Sequence, residues 1–221
     1  MVALRRSHPT PVPASAPPNS GATVSFMGEA ALVAGVRARN PAAVAELFDR
    51  FGSMVLRVLT RILGPDTDLA DLHQDAFMVA ITSLDELREP AALAGWMRSI
   101  AVNTARAALE KRARRRRWLI FLPEETLPEP EPEDTLAREN AREALRATYA
   151  VLARMPVDER IAFALRYIDS MELTEAAEAT GTALATFKRR LVRAEARFIA
   201  LARRSNLLTD YIEGGSRWSR P

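Results

Sequence analysis

The sequence contains no cysteine and only two histidines, His8 and His73, among its 221 residues. Disulfide bonds, thiolate metal sites and a histidine-rich metal site are therefore excluded. No apolar run approaches the roughly 20 residues that a membrane-spanning helix needs, so no membrane insertion is expected. Arg5 and Arg6 are not followed by an apolar segment, which argues against a secretory signal. These absences predict a cytoplasmic protein that uses no metal and no other cofactor.

Charge is unevenly distributed along a chain whose formal net charge is only +3. Six of the seven residues from 111 to 117 are lysine or arginine, whereas residues 124–139 hold seven acidic residues and one arginine. Such segregation indicates two different polyelectrolyte environments, and nucleic acid is the expected partner of the basic run.

The chain divides into two helical stretches and three segments without helical periodicity. The proline-rich residues 1–27 cannot bury enough apolar surface to offset their ordering entropy and are predicted to form a disordered tail. Residues 28–118 form the first predicted domain, and residues 119–137, where prolines alternate with glutamates, a flexible acidic linker. A second domain over 138–205 and a tail over 206–221 follow. The predicted fold class is all-α: two small helical domains on a Pro/Glu-rich linker.

Three long helices are predicted in the first domain. Asn40 and Pro41 fit an N-cap followed by a first-turn proline, and the apolar stripe that begins there ends at Gly64. Further helices are predicted from about 67 to 84 and from 90 to about 112.

Residues 173–201 predict a helix-turn-helix, with a short helix, a turn at Gly181 and a longer second helix. At about 100° per residue, the second helix has an apolar face formed by Phe187, Leu191, Ala194, Phe198 and Leu201. Its other side carries four polar side chains, with Arg189 and Arg193 directly opposite the stripe and Thr186 and Lys188 at the margins. A helix that packs through one face and presents arginines on the other suits a DNA major groove. By itself, the pattern also fits a basic helix whose charges are only solvated.

The first domain carries a second patterned helix face. Asp68, Asp71 and Asp75 recur at i, i+3 and i+7, with Gln74 beside them, so three carboxylates share one side. Like charges at this spacing repel by a few tenths of a kcal/mol per pair. The stripe is either a docking surface for a basic partner or a solvated acidic face. A metal site is less favoured, because the adjacent helices supply no converging ligands.

The third helix of that domain separates core residues from polar ones. Trp96 and Ile100 are predicted to anchor in the core. Arg98, Asn103 and Arg106 lie off the apolar stripe, where they can meet phosphates or base edges. The helix continues into the basic run, whose predicted phosphate contacts are Lys111, Arg112 and Arg114.

Four motifs in this order resemble those of the extracytoplasmic-function (ECF) sigma factors of bacterial RNA polymerase. They are Asp-x-x-Asp-Leu-x-Gln-Asp-x-Phe at 68–77, Gly-Trp-Met-Arg-Ser-Ile-Ala-Val-Asn-Thr-Ala at 95–105, Leu-x-x-Met-Pro-x-x-Glu-Arg at 152–160 and Thr-Phe-Lys-Arg-Arg-Leu-Val-Arg-Ala at 186–194. Each motif alone is a weak signal, but their order and spacing together are specific. The similarity covers about 28–117, the family's region two, and about 138–203, its region four.

The resemblance implies a role for each patterned surface. The residues expected to dock on the largest subunit of the polymerase core are Asp68, Asp71, Gln74 and Asp75. Those expected to engage the minus-ten promoter element are Trp96, Arg98, Asn103 and Arg106. Those expected to contact the minus-thirty-five element are Thr186, Lys188, Arg189 and Arg193. Core polymerase, promoter DNA and an anti-sigma factor are the partners that the family implies. Ala185 and Arg189 stand where the family usually has glycine and serine.

Two other classes of protein fit parts of the sequence. A helix-turn-helix transcription activator that never docks on the polymerase core would explain the second domain but not the first. A helical hydrolase using Asp68, Asp71 and Asp75 lacks metal partners, and its carboxylates share one exposed face. With no glycine-rich phosphate loop and no nucleophile beside a histidine, we expect no enzymatic activity.

Overall fold

A computed structural model of the chain describes residues 27–65, 68–118, 136–205 and 208–209, with side chains described through 115 and from 141 onward. These residues form helices and turns. The helices are α1 (Glu29–Arg37), α2 (Pro41–Leu63), α3 (Leu69–Ser83), α4 (Leu93–Trp118), α5 (Leu136–Leu152), α6 (Val157–Phe163), α7 (Leu173–Ala179) and α8 (Leu184–Ala202). The all-α prediction is confirmed.

The ends of α2 follow from local sequence. The Asn40 side chain accepts a hydrogen bond from the Ala42 backbone N–H at 2.9 Å, and Pro41 occupies the first turn, as the sequence predicts. Gly64 stops the helix with φ +84°, a conformation that glycine adopts without strain. A Cβ at this position would also lie 2.6 Å from the ring of Tyr149, so Gly64 permits a close contact as well as a turn.

Helices α1–α4 form the N-terminal unit. Long helix α2 packs against α1, α3 and α4, and its buried side includes Leu47, Val55 and Leu59. Two short 3-10 turns, Leu84–Glu86 and Pro90–Ala92, join α3 to α4. Helix α4 begins three residues after Pro90 and runs past the predicted end at about 112, because the basic run continues as helix through Trp118.

Helices α5–α8 form the C-terminal unit. Helix α6 begins after Pro156 and passes into a π turn, Ala164–Ile168. Helices α7 and α8 meet across Gly181, whose φ is +65°, and make the predicted helix-turn-helix. A second apolar cluster fills this unit, and its members include Leu152, Phe163 and Phe198.

The two units pack directly against each other. One apolar cluster runs from the N-terminal unit into the C-terminal unit, where it includes Ile161, Leu165 and Phe187. Sequence reasoning assigns these three residues to the interior of a separate domain, whereas the structure places them in a core shared with α2 and α4. The sequence-based domain boundaries at 28, 118, 138 and 205 stay a prediction.

Side chains of the C-terminal unit also cap the end of α2. Arg160, only 7% exposed, donates from Nε to the Ile62 carbonyl at 3.0 Å and from Nη2 to the Leu63 carbonyl at 2.9 Å. The Tyr149 hydroxyl lies 3.0 Å from the Arg61 carbonyl oxygen. The last carbonyls of a helix have no partner within it, and a cation at this end is favourable, so the second unit completes α2.

The predicted tail 1–27, apart from Met27, lies outside the described residues, and so does the linker between 119 and 135. Helix α5 begins at Leu136, so that its first two residues fall within the predicted linker. Most of the predicted tail 206–221 is also outside them, but Leu208 is buried in the second apolar cluster.

Candidate nucleic-acid interface

Helix α8 separates its apolar and polar faces as the sequence predicts. Phe187, Leu191, Ala194 and Phe198 are buried, and Leu201 is half-buried. Lys188, Arg189 and Arg193 are exposed on the other side, and Thr186 is half-buried at the margin. The polar face of α8 is thus exposed enough to enter a DNA groove.

The arginines of this face differ in how firmly they are held. Arg189 Nη2 lies 3.3 Å from the hydroxyl of Thr186, one turn earlier. Arg193 Nε lies 3.7 Å from Glu159 Oε1, while Arg197 Nε donates to Glu159 Oε2 at 2.7 Å. Glu159 itself is only 8% exposed, and these two arginines of α8 compensate its buried charge. Among the described residues, Arg189 bonds within its own helix, whereas Arg193 pairs with Glu159 of α6.

Sequence reasoning missed one residue of this face. Val192 is 64% exposed and lies one turn beyond Arg189 and Lys188. An apolar side chain among arginines on such a surface can contact the methyl group of thymine. Its position three residues after Arg189, off the apolar stripe, is the signal that could have identified it.

Two of the three polar residues predicted on α4, Arg98 and Arg106, lie at the contact between the two units. Arg98 Nη2 is 2.9 Å from Glu175 Oε1 of α7, and Arg106 Nε is 3.5 Å from Asp158 Oδ1 of α6. Asn103 is exposed and accepts a hydrogen bond from Arg106 Nη1 at 2.8 Å. Arg98 and Arg106 therefore face carboxylates of the same chain, whereas Asn103 contacts Arg106 of its own helix.

A groove of about 650 Å³ lies beside the contact between this part of α4 and α7. Trp96, half-buried against the core, and Arg98 line one side. Glu175 and Glu178 line the other, and Glu89 lies on the connection before α4. The groove combines an aromatic wall with acidic rims.

The basic run extends α4 beyond this groove. Lys111 and Arg114 are exposed, and Arg114 lies 4.0 Å from Glu110 one turn earlier. Arg112 Nη2 lies 3.5 Å from Asp68 Oδ2. Two residues assigned to different surfaces by sequence reasoning, Asp68 and Arg112, therefore contact each other.

The acidic face of α3 is only partly as predicted. Asp71, Gln74 and Asp75 are exposed along one side of the helix. Asp68 precedes α3 as its N-terminal cap residue and is drawn toward α4 by its pair with Arg112. Met78 is 54% exposed and continues the side of Asp71 and Asp75, so the face has an apolar end that sequence reasoning missed.

His73 has a structural role in α3. Its Nε2 lies 2.9 Å from the Gly52 carbonyl oxygen, and its ring meets Phe77 edge-on. Over the described ranges, no three histidine or acidic side chains are grouped to hold a metal ion. None of the helices in those ranges is long and apolar enough to cross a membrane.

Buried and partly buried titratable groups lie at the contact between the units and within the C-terminal unit. Burial raises the pKa of Tyr149 above 10.0, against the opposing effect of Arg160, so its hydroxyl stays a donor. Burial also raises the pKa of Asp169, although Arg57 lies 3.3 Å away. The pKa of Tyr167 is raised by burial and by its hydrogen bond to Glu195.

Comparison with known proteins agrees with these two units. Residues 47–115 match the family model for Sigma-70 region 2, and residues 145–198 match that for Sigma-70, region 4. The ECF RNA polymerase sigma-E factor of Haemophilus influenzae is 27% identical over 176 residues, which cover 74% of this chain and 89% of that protein. Its namesake from Escherichia coli K12 is 29% identical over 154 residues, covering 66% and 78%.

Two solved structures have the same fold. CnrH, in complex with the cytosolic domain of CnrY, superposes with a TM-score of 0.53 at 23% identity, covering 80% of this chain and 99% of that one. The Bartonella quintana sigma factor RpoE, in complex with the anti-sigma factor NepR, gives 0.52 at 21%, covering 73% and 98%.

The region 2 match explains the first unit, which an activator confined to the helix-turn-helix would leave without a role. The activator alternative is therefore not favoured. Both sigma regions occur in order on one chain and together match more than half of it. The chain belongs to the ECF sigma factors of bacterial RNA polymerase.

Proposed function

We propose that this sigma factor docks on core RNA polymerase through α3, recognises the minus-thirty-five element through α8 and engages the melted minus-ten element through α4. The observation that carries the proposal is the exposed polar face of α8, with Arg189 at its centre, in a chain whose other half matches region 2. A buried apolar stripe behind that face holds the helix rigidly for groove insertion.

Each surface has chemistry that suits its proposed partner. Exposed Asp71, Gln74 and Asp75 offer carboxylate and amide oxygens to a basic polymerase surface. Arg189 and Arg193 can bond guanine edges, whereas Lys188 is placed for phosphates. The other proposed contacts are Asp68 with the polymerase, Thr186 with the minus-thirty-five element, Trp96, Arg98, Asn103 and Arg106 with the minus-ten element, and Lys111, Arg112 and Arg114 with phosphates.

The factor acts as a binding protein without catalysis of its own, in the cytoplasm where polymerase and DNA meet. The two sigma region matches, and surfaces made of charged side chains on helices, support a role in binding. An anti-sigma factor is a further proposed partner, since the similar B. quintana protein was solved with one. We keep 28–118 and 138–205 as the proposed domain boundaries.

Run-off transcription with purified core polymerase and a genomic promoter library tests the proposal. We expect transcripts whose upstream regions share two spaced elements and that are absent with core polymerase alone. Asp71→Lys combined with Asp75→Lys should weaken core binding by about 2–5 kcal/mol. Asp49→Lys with Asp85→Lys, two exposed acids off the stripe, should leave core binding near wild type. Equal core binding by both double variants would contradict the docking assignment.

A further inference from the structure

One carboxylate of α6, that of Glu159, lies beneath two arginines of α8. The Glu159 side chain is buried, whereas the side chains of Arg193 and Arg197 are 64% and 48% exposed. Arg197 Nε donates to Glu159 Oε2 at 2.7 Å, and Arg193 Nε lies 3.7 Å from Oε1. Each oxygen of the carboxylate thus faces a different arginine, and both arginines extend from this buried anion to the surface.

The two arginines proposed to read bases are therefore held by different groups. Arg189 lies 3.3 Å from the neutral hydroxyl of Thr186, whereas Arg193 lies beside a carboxylate. The carboxylate partly compensates the charge of Arg193 and so lowers its attraction for phosphates. It also limits the directions in which the guanidinium can point. A side chain that is held in place before binding loses less rotamer freedom when it meets its target.

The pair with Glu159 involves only one edge of the Arg193 guanidinium. An arginine has five N–H donors, of which one is on Nε and four are on the two Nη atoms. The Nε atom is the one 3.7 Å from the carboxylate. A bidentate bond to guanine needs two donors in one plane, which the two Nη atoms supply. The pair therefore orients one edge of the guanidinium toward α6 and is compatible with the other edge facing DNA.

Glu159 has a fixed position because its neighbours along α6 are held by other helices. The next residue, Arg160, is buried and caps the end of α2. The preceding residue, Asp158, pairs with Arg190 of α8 at 3.2 Å. Ile161 is fully buried in the apolar cluster. This turn of α6 is thus a rigid support for the carboxylate, although the motif at 152–160 has no part in the functional assignments made from the sequence.

We propose that Glu159 is a positioning residue for promoter recognition, which holds Arg193 in the orientation that reads a guanine of the minus-thirty-five element. This inference rests on the proposed function, since it takes Arg193 as a base contact. Glu159 acts through Arg193, and Arg197 balances the rest of its charge. Without the carboxylate, Arg193 keeps its full charge but loses its fixed orientation. Base discrimination at its position therefore falls, while attraction for DNA of any sequence does not.

Glu159→Gln tests the proposal, because the amide has the shape of the carboxylate and no charge. Binding of the mutant holoenzyme to a promoter library measures discrimination at each position of the minus-thirty-five element. We expect discrimination to fall about fivefold at the position that Arg193→Ala also relaxes, without weaker binding to promoters with other bases there. Glu143→Gln, at an exposed acid of α5, is the matched control and should change each value less than about twofold.

A double-variant comparison separates positioning from a general loosening of α8. If Glu159 acts through Arg193, adding Glu159→Gln to Arg193→Ala should change discrimination less than about twofold. A loosened helix would also displace Arg189, so discrimination would fall at the position that Arg189→Ala relaxes, in both backgrounds. That result, or unchanged discrimination in Glu159→Gln, would overturn the proposal.

Glu159→Asp keeps the charge but withdraws it by about 1.5 Å, the length of one carbon–carbon bond. It should lower discrimination at the same position by a smaller factor, and it supplies the test if urea unfolding shows that Glu159→Gln is not folded. Arg189→Ala and Arg193→Ala are the separate readout. Unchanged preference in both would contradict the proposed function, whereas relaxed preference in both, with normal discrimination in the Glu159 variants, would contradict only the positioning role.

Discussion

Two sets of arginines in this protein have similar sequence patterns but different surroundings. On α8, Arg189 is exposed and bonds to Thr186 of its own helix. On α4, Arg98 and Arg106 are paired with carboxylates of another helical unit. Helical periodicity predicts which side of a helix is polar, but only tertiary packing decides whether that side is available to a partner. Arginine is therefore available to a partner on α8, whereas on α4 it is already paired within the chain.

The largest effect is expected from removing the cap on α2, because this cap joins the C-terminal unit to the unit that carries the covered arginines of α4. Arg160→Met leaves the Ile62 and Leu63 carbonyls without their donor inside a buried contact. We expect the free energy of unfolding to fall by about 2–4 kcal/mol in urea titrations. Arg154→Met, at an exposed position close in the sequence, should change it by less than about 0.5 kcal/mol. Equal losses in the two variants would show that the cap is not a stabilising contact.

Truncating the exposed arginines of α8 should reduce DNA affinity and base preference. Arg189→Ala should cost about 1–3 kcal/mol at the preferred minus-thirty-five sequence and relax the base preference there. Arg193→Ala should cost less within that range, because Glu159 already engages this side chain. Lys188→Ala should weaken all promoters alike and reduce the salt dependence by about one counterion. Sequence selection with each mutant holoenzyme measures these effects, and an unchanged preference in both arginine variants would exclude α8 as the reader.

A smaller loss of DNA affinity is expected at Val192, on the exposed polar face of α8. Val192→Ala should cost about 1 kcal/mol or less, and only on DNA that presents a thymine methyl group to α8. Replacing thymines of the minus-thirty-five element with uracil should weaken the parent protein and not the variant. Equal losses in both would place the methyl contact elsewhere.

The smallest effect is expected at Asp169, whose side chain is 5% exposed. Burial raises its pKa above 3.8; Arg57, Arg61 and Arg98 lower the pKa by less, and Glu175 adds to the rise. Since the pKa is raised in the folded state, stability from this carboxyl is complete below 3.8 and is lost as pH rises through the folded pKa.

Asp169→Asn cannot ionise, so its unfolding free energy should fall less than that of the parent as pH rises above this range. At neutral pH the two proteins should differ by no more than about 1 kcal/mol. Urea unfolding across a pH series measures both quantities. A variant much less stable than the parent at neutral pH would mean that the ion pair with Arg57 outweighs burial.

The helices themselves were accessible to sequence reasoning, because local chemistry specifies them. The Asn40 cap, the stop at Gly64 and the buried stripe of α8 depend on residues within a few positions of one another. The exposure of two carboxylates within α3, Asp71 and Asp75, follows from the same periodicity.

The contacts between units were not accessible in this way. Arg160 meets the end of α2 across about a hundred positions of sequence, and nothing in its neighbourhood marks it as a helix cap. Asp68 and Arg112 carry opposite charges and were assigned to different partners, although they lie close enough to contact each other. Periodicity describes a helix face, while the partner of that face depends on how the units fold together.

The end of α4 at Trp118 and the start of α5 at Leu136 limit how far apart the two units can move. The seventeen residues between these helix ends reach at most roughly 60 Å when fully extended. Duplex DNA rises 3.4 Å per base pair along each strand, so that length corresponds to about eighteen base pairs. For the function proposed above, we therefore expect the number of residues between α4 and α5 to set an upper limit on the spacing of the two promoter elements that one molecule can occupy.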